Sequence, residues 1–220
     1  MKKPHFHLYV LLGLALLVSL LGGGCSPGEE LACPEPDQPL AAPAPGEERV
    51  PFTLQNDTCM SICVLLLSPD HCEYMGGVNW VQDHPLPSGA STTIELPAGK
   101  YAAWVELCTE EFRADEGLKV YDDYTHTVTD PAFGSRPPCG TSLTVINQGD
   151  APICKMRIGI GESVYTGWNW IGTEYIQPGD SRDFILRPDT YFIRAEGCDG
   201  SWLRSEMDVK ISGHQSWTVP

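Results

Sequence analysis

The chain has 220 residues, a formal charge of −15, and 22 Gly plus 19 Pro. That length allows one or two domains; the Gly and Pro content favours turns and short strands over long helices. The acidic charge excludes nucleic acid as a partner, because phosphates are repelled.

Met1-Lys2-Lys3 is a short basic start, and Leu8 to Leu21 is an uncharged, mostly apolar run. A bilayer span needs about 20 such residues, so residues 1–24 read as a secretory signal peptide. The run ends in Leu21-Gly22-Gly23-Gly24-Cys25. It resembles the lipobox of bacterial lipoproteins, with Gly22 where that family usually has Leu. The resemblance implies a lipidated Cys25 as the mature N-terminus, a membrane as partner through its acyl chains, and an extracytoplasmic location on the outer membrane or the outer face of the plasma membrane. Loss of Lys2 and Lys3 leaves 12 basic against 29 acidic residues, a charge of −17 that holds the folded part away from an anionic surface. Residues 25–51 supply the spacer. Pro27, Pro34, Pro36, Pro39, Pro43 and Pro45 stand among Ala, Gly and Glu without apolar periodicity.

The remainder is one pattern written twice. Phe52-Thr53-Leu54-Gln55-Asn56 matches Leu143-Thr144-Val145-Ile146-Asn147 at an offset of 91. Ile62-Cys63 matches Ile153-Cys154; Asn79-Trp80 matches Asn169-Trp170; Tyr101 and Cys108 match Tyr191 and Cys198. The expected organisation is a repeat over 52–130, a Pro-containing linker over 131–142, and a second repeat over 143–220. In the first repeat Thr92–Leu96, the turn Pro97-Ala98-Gly99 and the Tyr-led run Tyr101–Leu107 predict a hairpin, and Thr125–Thr129 a last strand. In the second repeat Cys154, Met156, Ile158 and Ile160 alternate with Lys155, Arg157 and Gly159, the period of a half-buried strand. Asp183–Leu186, Pro188-Asp189 and Tyr191–Glu196 predict the second hairpin, and Gln215–Val219 the last strand. With about seven strands per repeat, the expected fold is all-β: two tandem small β-sandwich domains. The order Cys63, Trp80, Cys108, and again Cys154, Trp170, Cys198, resembles that of immunoglobulin domains and implies an immunoglobulin-like sandwich. The spacing between cysteines is shorter than in that family, and no Tyr stands two residues before the second Cys.

Beyond Cys25, eight cysteines remain, an even number suited to disulfides in an exported chain. Duplication pairs Cys63 with Cys108 and Cys154 with Cys198. Cys59 with Cys72 then closes a local loop, and Cys33 with Cys139 ties tether to linker. A zinc set of Cys59, Cys63, His71 and Cys72 is the disfavoured alternative, since thiolates do not persist in an oxidising envelope. No Cys-x-x-Cys suggests a redox site.

Catalytic spacing is not found. Gly161-Glu162-Ser163-Val164-Tyr165 lacks the closing Gly of a nucleophile elbow. His71, His84, His126 and His214 show no paired spacing and read as turn or exposed-strand residues. Glu110, Glu111, Asp115, Glu116, Asp122 and Asp123 read as a solvated acidic face. The expectation is no enzyme, no cofactor and no metal. Trp80 and Trp170 occupy equivalent places and are expected in the core. Trp104 aligns with Arg194 and lies out of phase with Tyr101, Ala103 and Val105. The expected function is that of a non-catalytic cell-envelope lipoprotein whose tandem β-sandwich modules have an interaction or structural role with a protein or glycan partner; the alternative is a carbohydrate-binding module, with Trp104 and Trp168 as the candidate ligand-binding residues.

Overall fold

Short apolar alternations build the twelve strands of the described residues. The computed structural model describes residues 33, 48–72, 77–130, 139–160 and 167–220. The expected signal peptide, the expected lipidation site Cys25 and most of the Pro-rich segment lie outside the described residues, as does Gly161–Tyr165. Among the described residues no helix is long and apolar enough to cross a membrane.

The first half holds β1 (Arg49–Asp57), β2 (Ile62–Pro69), β3 (Ser91–Pro97), β4 (Gly99–Leu107), β5 (Phe112–Val120) and β6 (Tyr124–Thr129). The second holds β7 (Thr141–Asn147), β8 (Ile153–Ile160), β9 (Ser181–Leu186), β10 (Asp189–Gly197), β11 (Trp202–Ile211) and β12 (His214–Val219). They form four three-stranded sheets, in the orders β3-β1-β6 and β2-β4-β5, then β9-β7-β12 and β8-β10-β11. The second pair repeats the first strand for strand. Each half has one parallel pairing, β1 with β6 and β7 with β12. The described strands number six per half, not seven.

Alternation places the core as the period of two requires. In β1, Val50, Phe52, Leu54 and Asn56 are buried between more open neighbours. Leu65, Leu67, Val105 and Leu107 in the first half, and Leu143, Val145, Met156 and Ile158 in the second, are also buried. Polar duplicates hold the loops. Asn56 Nδ2 donates to the carbonyls of Met60 and Leu86, and Asn147 Nδ2 to those of Ala151 and Ile176, all at 2.9 Å. Such fully paired buried amides fix a loop without an orphaned group.

The two predicted hairpins are corners instead. β3 and β4 lie in different sheets, as do β9 and β10. The Tyr101 hydroxyl donates to the Pro97 carbonyl at 2.7 Å, and the Tyr191 hydroxyl to the Arg187 carbonyl at 2.9 Å. Each buried ring thus clamps the corner that precedes it. Strand, proline turn and strand is a pattern common to hairpins and corners, so the local sequence does not separate them. The true hairpins are β4–β5 and β10–β11.

Cys63–Cys108 and Cys154–Cys198 are bonded as the duplication implies. Each joins adjacent strands of one sheet, β2 with the end of β4 and β8 with the end of β10, whereas the immunoglobulin bridge joins two sheets. The other two pairings are corrected to Cys33–Cys72 and Cys59–Cys139. Cys59 precedes the eight-residue β2 and Cys72 follows it, so about 25 Å of strand separates them. A disulfide needs Cα atoms within about 7 Å. Cys59 lies instead beside Asp130, whose carboxylate accepts its N–H at 3.3 Å, at the end of β6 where the linker to Cys139 begins. Four disulfides fit an oxidising, extracytoplasmic environment.

Candidate functional site

Ala32–Pro220 is one compact unit, and residues from both halves meet within it. Arg187, just after β9, is 5% exposed. Its guanidinium bonds Glu111 at 2.9 Å and Asp130 at 2.7 Å, both from the first half. Elsewhere the Thr173 N–H donates to the Asp83 carbonyl at 2.8 Å. Gly172 makes this approach possible: its φ is +58°, and a Cβ there would stand 2.0 Å from the Asp83 oxygen.

Between the halves opens a cleft of about 890 Å³. One wall comes from β2 and β4, with Val64, Leu66, Trp104 and Glu106; the other comes from β8 and the segment after it, with Lys155, Arg157 and Trp168. The two candidate tryptophans, from different halves, are therefore brought together. Both are half-buried. Trp168 Nε1 donates to Glu106 Oε1 at 2.6 Å, and Trp104 Nε1 to Glu106 Oε2 at 3.4 Å. One carboxylate orients two indoles. Trp104 also stacks on Phe112, with centroids 4.3 Å apart and planes at 10°.

The opposite wall is cationic. Arg157 Nε donates to Glu196 Oε1 at 3.1 Å, and its Nη1 donates to the Gly167 carbonyl. Arg194 Nη2 bonds the same Glu196 oxygen at 2.6 Å. Lys155 is exposed at the cleft and forms no ion pair among the described residues.

Other expectations fare differently. Trp170 is a core residue, 3% exposed. Its Nε1 donates to the Ile158 carbonyl at 3.0 Å, and its ring meets Phe184 edge-on at 6.0 Å. Trp80, expected to match it, is only half-buried. His126, expected in the open, is buried on β6, with Nε2 3.1 Å from Asp115 Oδ2 and its ring near Phe52. Burial lowers its pKa below the ordinary 6.5, against the opposing pull of Asp115. The acidic group disperses: Glu111 joins Arg187, and Asp115 joins Arg113 and His126. Cys59, Cys63, His71 and Cys72 do not assemble, since the three cysteines belong to three disulfides. Cys33, His71 and Cys72 do lie within 4.8 Å of one another, but the two sulfurs are bonded together. Sequence reasoning misses Glu106, Lys155 and Arg157 as cleft residues. A signal for Glu106 exists: it repeats as Glu196, two residues after Trp104 and Arg194 respectively.

No family model and no curated protein matches the chain. A solved structure described as "The Bacillus anthracis TIE protein" is similar over 78% of this chain and 33% of that one, at 13% identity and a TM-score of 0.29.

Proposed function

We propose that the protein is a non-catalytic, lipid-anchored module of the cell envelope that binds a glycan in the cleft between its halves. Cys25 carries the anchor, and the two halves are tandem β-sandwich domains of immunoglobulin-like strand economy. One observation carries the binding role: Trp104 and Trp168, 64 positions apart in sequence, converge on one carboxylate in the wall of the cleft. Their polar N–H groups are already engaged, and Phe112 covers one face of Trp104, so what the indoles have left to offer is the remaining ring surface. Ring faces stack on the C–H faces of sugars, and a half-buried, pre-oriented ring loses little entropy on doing so. The cleft volume falls within the range of about 300–1,000 Å³ common for small-ligand sites. Glu106 is committed to two indoles, and Arg157 to Glu196 and Gly167, which suits holding a ligand rather than moving a proton.

The test is a glycan array followed by titration of the best ligand. Trp104→Ala and Trp168→Ala should each weaken binding by about 1–3 kcal/mol, taking base–aromatic stacking as the scale. Each should lower the melting temperature less than Trp170→Ala does. A parent protein that binds no polysaccharide ends the glycan reading.

A further inference from the structure

We propose that the glycan held in the cleft is an acidic one, and that the Lys155 ammonium takes its carboxylate. This rests on the glycan reading above and narrows it. The two walls differ in charge. On β8, Lys155 and Arg157 are two residues apart and share a face; across the ladder Glu196 stands opposite Lys155, and Arg194 opposite Arg157. Three cations thus share this wall with one carboxylate, which pairs with the two arginines. Glu196 Oε1 accepts from both Arg157 Nε and Arg194 Nη2, and the single negative charge of that carboxylate is fewer than the three positive charges of Lys155, Arg157 and Arg194. The β8–β10 wall keeps a surplus of positive charge, whereas Asp83 and Glu106 line the cleft from the first half, so an acidic group is favoured only on the Lys155 side. Arg194 does not itself line the cleft. It is 4% exposed, and its Nε has no hydrogen-bond partner among the described residues.

Of the three cations, Lys155 is the one open to the cleft. Arg157 is held by Glu196 and Gly167, and Arg194 by Glu196, with its guanidinium over the Trp202 ring at 4.7 Å. Val64 occupies the position of Lys155 in the first half, so the ammonium is not demanded by the strand itself. The field of the whole chain opposes an anion, and screening over about 8 Å leaves recognition to contact. A compact ammonium with three rotating donors suits a single carboxylate. In a ring stacked on an indole, equatorial substituents project sideways along the ring plane, toward the edge where a flanking wall can reach them. The inference commits to two sources of a carboxylate on such an edge: the ring carbon of a hexuronate, or a lactyl ether of an amino sugar.

The test titrates the detergent-solubilised full chain with two matched pairs. One is a galacturonate trisaccharide and its methyl ester; the other is a muramic acid-containing disaccharide and its amide. For at least one pair the acid should bind about ten-fold tighter than its neutral isostere, the scale of a charge-assisted hydrogen bond. Which pair shows this identifies the source of the carboxylate. Lys155→Gln should abolish the preference by weakening the acid about ten-fold more than its isostere, while Trp104→Ala should weaken both members alike. Equal affinity for acid and isostere in both pairs overturns the inference, as does a preference that survives Lys155→Gln. If neutral glycans bind and the acids do not, the inference falls and the glycan reading stands. If no glycan of either kind binds, both fall.

Discussion

The same strand pair appears twice with different side chains. In the first half, β4 and β5 present Trp104 stacked on Phe112, with Glu106 two residues on. At the equivalent places, β10 and β11 present Arg194 over Trp202, with Glu196 two residues on. The aromatic on the later strand and the acid on the earlier one are constant. What changes is the group between them, a neutral indole in one half and a guanidinium in the other. The acid accepts N–H donors in both settings, so the frame survives while the group beside it changes from an indole to a guanidinium. A duplicated frame with unlike walls can grip two unlike parts of one ligand, as two identical walls cannot.

The comparison extends to the core. Trp170 and Trp80 are equivalent in sequence, yet Trp170 is buried against Phe184 and Trp80 is half-open. Trp170→Ala should therefore cost about 3–5 kcal/mol, the range for a buried aromatic. Trp80→Ala should cost clearly less, because part of its ring is already in water. Denaturant unfolding of the two variants decides between equivalence by sequence and inequality by burial. Equal losses would mean that the surroundings of the two rings do not set their worth.

Much of this frame is legible in the amino-acid sequence. The duplicated Tyr, Cys and Asn positions give the repeat, and the inner disulfides follow from it. The strand-corner at Pro97 is not legible there, since its cause is a hydroxyl bond made by Tyr101 in three dimensions. Nor is the pairing of Cys59 with Cys139, which depends on the parallel β1–β6 pairing bringing the end of β6 back to the β1–β2 turn. Trp104 is legible from strand parity. Its partner Glu106 lies on the same face, but nothing local says that Trp168, from the other half, arrives on that carboxylate.

A second paired position separates the halves by pH. Leu54 is paired with His126 in β6, and its counterpart Val145 with Trp217 in β12. Asp115 meets His126, and Glu206 accepts from Trp217 Nε1 at 2.9 Å. Only the first half has a titrating ring there. Burial lowers the pKa of His126 in the folded chain, so the unfolded chain takes up the proton first as pH falls. The stability that depends on a neutral ring is complete above about pH 6.5 and declines below it, until the folded state is protonated too. Hydrogen exchange at pH 7.5 and 5.5 should show the amides of β1 and β6 losing protection at the lower pH, with β7 and β12 less affected. His126→Gln should remove that difference. Equal loss in both halves would place the acid sensitivity elsewhere.

The smallest expected effect lies in the turns of the true hairpins. The β4–β5 turn carries Glu110 at φ +69°, and the β10–β11 turn carries Gly200 at φ +82°. These are equivalent positions in the same backbone shape, one with a side chain and one without. For an L-residue the left-handed region costs about 1 kcal/mol or more relative to glycine. Glycine also enlarges the freedom of the unfolded chain, which offsets part of that gain. Glu110 is only partly buried, so truncating its side chain forfeits little packing. Glu110→Gly should therefore stabilise the protein by roughly 0.5–1 kcal/mol, and Gly200→Glu should destabilise it by a similar or larger amount. Thermal unfolding of both variants checks the pair. A destabilising Glu110→Gly would show that this side chain contributes more than its backbone strain costs, and the two turns would then differ in kind and not only in residue.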